Sequence, residues 1–222
     1  AAWVNTVDDM LGEKIAVADT KFYITDPATC KRRIRSGETN LGDFVADGIY
    51  TYFNEVEQLD CDIAMMNGGG IRTDVDAGKW SFKTCKTVSP FGNVACLMSV
   101  TGQQILDALE MGARNAPGEC GGFLQVSGLT YEIHTGVASS AEKDENGMFT
   151  RVSGEYRVKN VMVGGQPLEL DKTYTLASHN YMLLGHGDGY TMFDGCEVLG
   201  EDMMVDNQVL ITYITTTLGG VV

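Results

Sequence analysis

Apolar residues along this chain alternate between a helical period and a strand period. Leu41, Phe44, Val45, Ile49, Tyr52, Phe53 and Val56 recur at helical spacing, which predicts a helix that Thr39 or Asn40 can cap. A second amphipathic helix is expected through about Ala113, opened by the capping box at Thr101 and Gln104. A third is expected over residues 206–218 with Asp206 as its N-cap, and residues 3–11 carry the spacing of a docking helix. Strand-like stretches fall at residues 14–19, 61–66, 79–82, 94–100, 129–134, 156–163 and 174–178. Gly164 and Gly165 mark a hairpin, and residues 138–147 read as a polar loop. Residues 26–37 and 115–122 are a loop and a turn bearing Pro and Gly. Strands and helices mix without regular βαβ repeats and without an internal linker. The expected class is therefore α+β, a single domain with a mixed β-sheet flanked by helices.

Two glycine-rich stretches interrupt this pattern at strand ends. The first is Asn67-Gly68-Gly69-Gly70-Ile71-Arg72, directly after the apolar run at 61–66. Three consecutive glycines let another molecule approach the backbone closely, and ligands of open α/β sheets commonly sit at the carboxyl ends of strands. On local pattern alone, the turn could equally use Asn67 and Arg72 to cap carbonyls. The second stretch, residues 179–190, holds Asn180, Tyr181, His186 and Asp188 among glycines. Between them, Phe91 sits between Pro90 and Gly92, either as an exposed ring able to stack on a planar ligand or as a core ring under a loop.

Charge narrows the class of ligand. Of 222 residues, 16 are Lys or Arg and 30 are Asp or Glu, a formal net charge of −14. Such a mean field repels nucleic-acid polymers and anionic membranes, so any bound phosphate must meet clustered arginines. The basic run Lys31, Arg32, Arg33 and Arg35 is the obvious cluster, with Lys31 and Arg32 read as a solvated face. Arg35 lies just before the helix expected from residue 39, where backbone N–H groups favour an anion; the alternative is pairing with Glu38. Arginines suit phosphate oxygens, a carboxylate such as Asp188 suits a ribose diol, and flat rings suit a nucleobase.

The remaining features exclude more than they assign. No run is apolar and long enough to span a membrane. The chain opens on Ala1, Ala2 and Trp3 without an initiator Met or signal peptide, as in a processed protein or an excised domain. Six cysteines are widely spaced with no C-x-x-C pair, which disfavours zinc and leaves both disulfides and buried free thiols open. His134 and His179 are read as structural and His186 as a loop residue; the chain lacks the His-rich ligand set of a two-metal site.

Four ordered motifs carry a resemblance. Arg35 with Glu38-Thr39-Asn40-Leu41-Gly42-Asp43, then the Asn67 to Arg72 turn, then Pro90-Phe91-Gly92-Asn93, then Asn180-Tyr181 with Gly187-Asp188-Gly189-Tyr190 together resemble the C-terminal, nucleotide-binding domain of the 5′-nucleotidase/UDP-sugar hydrolase family over about residues 14–217. The resemblance implies that Arg35 and Arg72 bind phosphate oxygens, that Asn67 contacts the base or its neighbourhood, that Phe91 and Tyr181 sandwich the base, and that Asp188 takes ribose hydroxyls. Gly69 and Asn180 complete the implied substrate-binding set. Tyr181 stands where the family usually has Phe, and one extra residue separates it from Asp188.

The resemblance further implies an N-terminal metallophosphoesterase domain that holds two divalent metal ions and performs hydrolysis. No catalytic or metal residue is expected in this chain, which alone should be inactive. Its expected partners are a nucleotide or nucleoside and that domain of the same polypeptide, in a periplasmic, secreted or cell-surface protein. The competing readings are a stand-alone nucleotide-binding module and, least favoured, a self-sufficient hydrolase using Asp188 and His186.

Overall fold

The structure, a computed structural model, describes residues 10–222. The docking helix expected over residues 3–11 falls mostly on residues 1–9, outside the described residues. At the centre lies a five-stranded sheet ordered β12-β4-β11-β2-β5, formed by Glu197–Gly200, Ala95–Thr101, Thr173–His179, Ile63–Asn67 and Leu124–Ser127. Strand β11 pairs parallel to β2 and antiparallel to β4, while β2 pairs antiparallel to β5, so the sheet is mixed as expected.

Every residue of β2 is buried, because both faces of the sheet are covered. Ala64 and Met66 of β2, Leu97 of β4 and Ala177 of β11 face one core. That core is closed by helices α1 (Asn40–Thr51), α2 (Phe82–Val88) and α5 (Asp206–Thr212), and by the pair β1 (Lys14–Ala18) and β3 (Gly78–Ser81). Their neighbours Ile63, Met65, Met98 and Leu176 point the other way, as the period of two requires. They meet α3 (Gly102–Ala113) and the smaller sheets made by β6 (Leu129–Ile133), β9 (Val158–Val163) and β10 (Gln166–Pro167), and by β7 (Ala141–Lys143) and β8 (Phe149–Val152).

Caps set several boundaries. Thr39 caps α1 by accepting from the Gly42 N–H at 3.1 Å. The capping box of α3 is present in both directions: the Thr101 N–H donates to Gln104 Oε1 at 2.8 Å and the Gln104 N–H to Thr101 Oγ1 at 3.3 Å. Gly164 and Gly165 turn β9 into β10 with φ of 56° and 77°, the left-handed geometry of a tight hairpin. Both α1 and α5 end in a single π-turn, Tyr52–Val56 and Tyr213–Thr217.

Several features differ from the sequence reading. Residues 138–147 are not wholly loop, since Ala141–Lys143 pairs with β8. The strand β5 and the helix α2 were not expected. The N-cap of α5 is Val205, and Asp206 is its first helical residue. Of the two alternatives open for the six cysteines, the structure has free thiols throughout.

Candidate functional site

Strand direction gathers the glycine loops at one edge of the central sheet. The carboxyl ends of the parallel strands β2 and β11 lie side by side, ending at Asn67 and His179. Because β4 and β5 run antiparallel to them, their amino ends, Ala95 opposite His179 and Leu124 opposite Asn67, reach the same edge. The loops entering β4 and β5 therefore meet the loops leaving β2 and β11. They enclose a cavity of about 520 Å³ lined by Arg35, Asn67, Gly69, Phe91, Tyr181 and Asp188, with Gly70, Asn93 and Gly121 between them.

The glycines are needed here for close approach. The Gly68 N–H donates to the Phe123 carbonyl and the Gly69 N–H to the Gly121 carbonyl, each at 2.7 Å. A Cβ on Gly68 would fall upon the Ile34 carbonyl oxygen, 2.9 Å from that group's carbon. The turn thus lies flat against the backbone that carries Arg35. Arg35 ends a 3-10 turn at Arg33–Arg35, where buried Ile34 anchors the loop and the Cys120 N–H donates to the Arg35 carbonyl at 2.8 Å. Its Nε is buried without a hydrogen-bond partner.

The two rings differ in support. Tyr181, on the short helix α4 (Asn180–Leu183), is 43% exposed and backed by Gly187, where any Cβ would collide with the ring. Burial, and then the nearby Asp188 charge, push its phenol above the usual value. Phe91 is 60% exposed and so is not a core ring. The Arg72 guanidinium lies 5.7 Å from the centroid of the Phe91 ring and donates to the Gly69 carbonyl at 3.0 Å.

Asp188 is held in left-handed backbone geometry, φ 56° and ψ 12°, and accepts from Asn67 Nδ2 at 2.6 Å. The extra residue after Tyr181 therefore does not keep Asp188 from the cavity. Behind Asn67 stands His179, fully buried, its Nε2 3.1 Å from Asn67 Oδ1. Desolvation lowers the His179 pKa to about 4, so the ring is neutral at physiological pH.

Of the eight residues singled out in the sequence, six line this cavity. Arg72 stands beside it, against Phe91. Asn180 faces away: its Oδ1 accepts from the Val94 N–H at 3.0 Å and the Tyr181 N–H at 2.9 Å, tying the Phe91 loop to the Tyr181 helix. Part of the start of α1, where an anion site is expected, is taken up within the protein. The Gly42 and Asp43 N–H groups go to Thr39, and the Thr39 N–H goes to Gln125 Oε1 at 3.2 Å. Arg35 points instead into the cavity; it is Arg33 that reaches Glu38, donating from Nε to its backbone carbonyl at 2.8 Å. Asn93, Gly121 and His179 were not anticipated as site residues; Asn93 alone had a signal, its place in the Phe91 motif.

His186 pairs with Asp194 and does not line the cavity. Among the described residues no group of three or more His, Cys, Asp or Glu side chains is placed to hold a metal ion. A second cavity of about 510 Å³ lies beyond the Arg33–Gly37 stretch, lined by Glu38, Asp43, Asp47 and Tyr131. There, burial and then the charges of Glu38 and Asp47 raise the Asp43 pKa to about 7.

Comparison with known proteins bears on family and fold. The family described as 5′-nucleotidase, C-terminal domain, matches residues 14–195. The trifunctional nucleotide phosphoesterase protein YfkN of Bacillus subtilis is 32% identical over 199 residues, 90% of this chain and 12% of that protein. A 5′-nucleotidase of Vibrio vulnificus is 30% identical over 200 residues, 90% of this chain and 31% of that one. The crystal structure of a 5′-nucleotidase precursor from Thermus thermophilus superposes with a TM-score of 0.80 at 29% identity, over 100% of this chain and 39% of that one. The chain thus spans less than a third of the length of these curated relatives.

Proposed function

This chain belongs to the 5′-nucleotidase C-terminal domain family, and from that premise we propose that it is the substrate-binding domain of a phosphohydrolase acting on nucleotides. The base lies between Phe91 and Tyr181. A ribose hydroxyl meets Asp188, and the phosphate meets Arg35, with Arg72 swinging from Phe91 to join it. Asn67 borders the base or the sugar. The observation that carries this reading is the convergence of Arg35, Phe91, Tyr181 and Asp188 on one cavity in a protein of net charge −14. The Arg35 guanidinium in the cavity wall favours an anion there against the repulsive mean field.

Phosphorus–oxygen cleavage belongs, in this reading, to a two-metal metallophosphoesterase domain elsewhere in the same polypeptide, consistent with relatives much longer than this chain. The chain's own residues bind and orient: the rings fix the nucleoside, and the arginines hold phosphate oxygens and offset charge developing on them. Export from the cytoplasm is part of the same reading and rests on family membership. No helix among the described residues is long and apolar enough to cross a membrane.

Isothermal titration of the chain with AMP tests the binding, and a phosphate-release assay with AMP and divalent metal tests the division of labour. One-to-one binding without turnover is expected. Turnover abolished by Asp188→Ala and His186→Ala together would instead establish a self-sufficient hydrolase.

A further inference from the structure

The residues behind the cavity form a chain with a fixed sense. Between Asn67 and Asp188 the amide donates and the carboxyl oxygen accepts. The atom of Asn67 that lies 2.6 Å from Asp188 Oδ2 must therefore be the amide nitrogen. That choice turns Asn67 Oδ1 toward His179 Nε2, 3.1 Å away. A carbonyl oxygen facing a ring nitrogen requires the proton on that nitrogen. The ring is neutral, so Nδ1 carries only a lone pair, and it is the buried ring atom without a partner. The opposite tautomer would set two acceptors, Nε2 and Asn67 Oδ1, face to face at 3.1 Å.

We infer that His179 is a positioning residue whose Nε2–H locks the Asn67 amide, so that Asn67 holds Asp188 by Oδ2 and leaves Oδ1 to accept a sugar hydroxyl. The inference rests on the nucleotide-binding reading above. Its geometry agrees with the rest of the wall. Asp188 lines the cavity, with its Oδ1 on the side of Gly121. Asp188 sits in a left-handed conformation uncommon for a residue with a side chain, and needs something to hold it. Both His179 and Asn67 are buried at adjacent strand ends, so neither moves to find the other. The lock therefore makes the site discriminate by the sugar: it favours nucleosides with a free hydroxyl pair over deoxygenated ones.

Two measurements test this. The first is the ratio of affinities for adenosine and 2′,3′-dideoxyadenosine, by calorimetry on the 222-residue chain. In the wild type the ratio should be ~10 or more, as for a hydrogen bond to a charged group. His179→Leu, which has no donor, should collapse the ratio toward one, and His179→Gln, which restores an N–H, should recover much of it. A merely structural histidine would weaken both ligands alike and leave the ratio intact, which would overturn the inference. The second is the nitrogen-15 spectrum of His179 in the wild-type chain, which needs no variant and decides the matter should the leucine variant not fold. A proton on Nε2 supports the lock; a proton on Nδ1 overturns it. Failure of the wild type to bind adenosine at all would refute the nucleotide reading instead, and the His179 tautomer would still report on the lock.

Discussion

Replacing Gly68 with alanine is the perturbation the first glycine turn should tolerate least. The new Cβ would collide with the Ile34 carbonyl, and it would also come within 3.3 Å of the Phe123 carbonyl oxygen that the Gly68 N–H now bonds. Neither neighbour is a flexible side chain, so the backbone must shift. Overpacking of this kind costs about 1–3 kcal/mol. Weakening the Gly68–Phe123 hydrogen bond adds about 1 kcal/mol. The sum is about 2–4 kcal/mol, or a fall in Tm of about 4–16 °C for a domain of this size. Gly92→Ala is the control: its φ is +70° but nothing lies within 4 Å, so only conformational strain of about 1 kcal/mol is expected. Thermal denaturation followed by circular dichroism measures both. Since Ile34 adjoins Arg35, the displaced loop should also weaken AMP more than adenosine. A Gly68→Ala protein no less stable than Gly92→Ala would refute the account of the turn.

Phe91→Ala should lower nucleoside affinity by about 1–3 kcal/mol, the worth of one stacking face, while leaving Tm almost unchanged because the ring is 60% exposed; calorimetry and a thermal scan read the two effects separately. Asp43→Asn should stabilise the protein at pH 8. The folded pKa of Asp43, about 7, lies above the ordinary carboxylate value, so its contribution is present below about pH 4 and lost as pH rises through 7; urea midpoints across that range should flatten in the variant. Glu110→Leu should destabilise by at least about 2 kcal/mol, since the buried Glu110 carboxylate accepts the Arg157 and Val158 N–H groups at 2.9 and 3.0 Å and both would be stranded; urea denaturation measures it.

What the sequence made legible follows from how local each signal is. The helix α1 and the capping box of α3 are set by residues within one turn, and both appear where the spacing puts them. The strand β5 did not announce itself, being four residues long and emerging from a Pro/Gly turn. Helix α2 was hidden too: its residues are largely β-branched or short, and its capping box uses Thr84 in place of the usual Glu or Gln. At the site, glycine runs and loop aromatics marked the right loops. The partner of each side chain did not show, because it lies far off in the chain: His179 meets Asn67 across 112 residues and Asn67 meets Asp188 across 121. Arg35 lies near the helix start, as its place in the chain implies, but lines the cavity, while Thr39 takes the Gly42 N–H and Gln125 the Thr39 N–H.

A crystal structure of the chain with AMP tests the central claim most directly. Adenine is expected between Phe91 and Tyr181, with a ribose hydroxyl on Asp188 Oδ1 and the phosphate at Arg35. The nucleotide seated instead in the acidic cavity beside Glu38 and Asp43, or bound with both rings untouched, would contradict it.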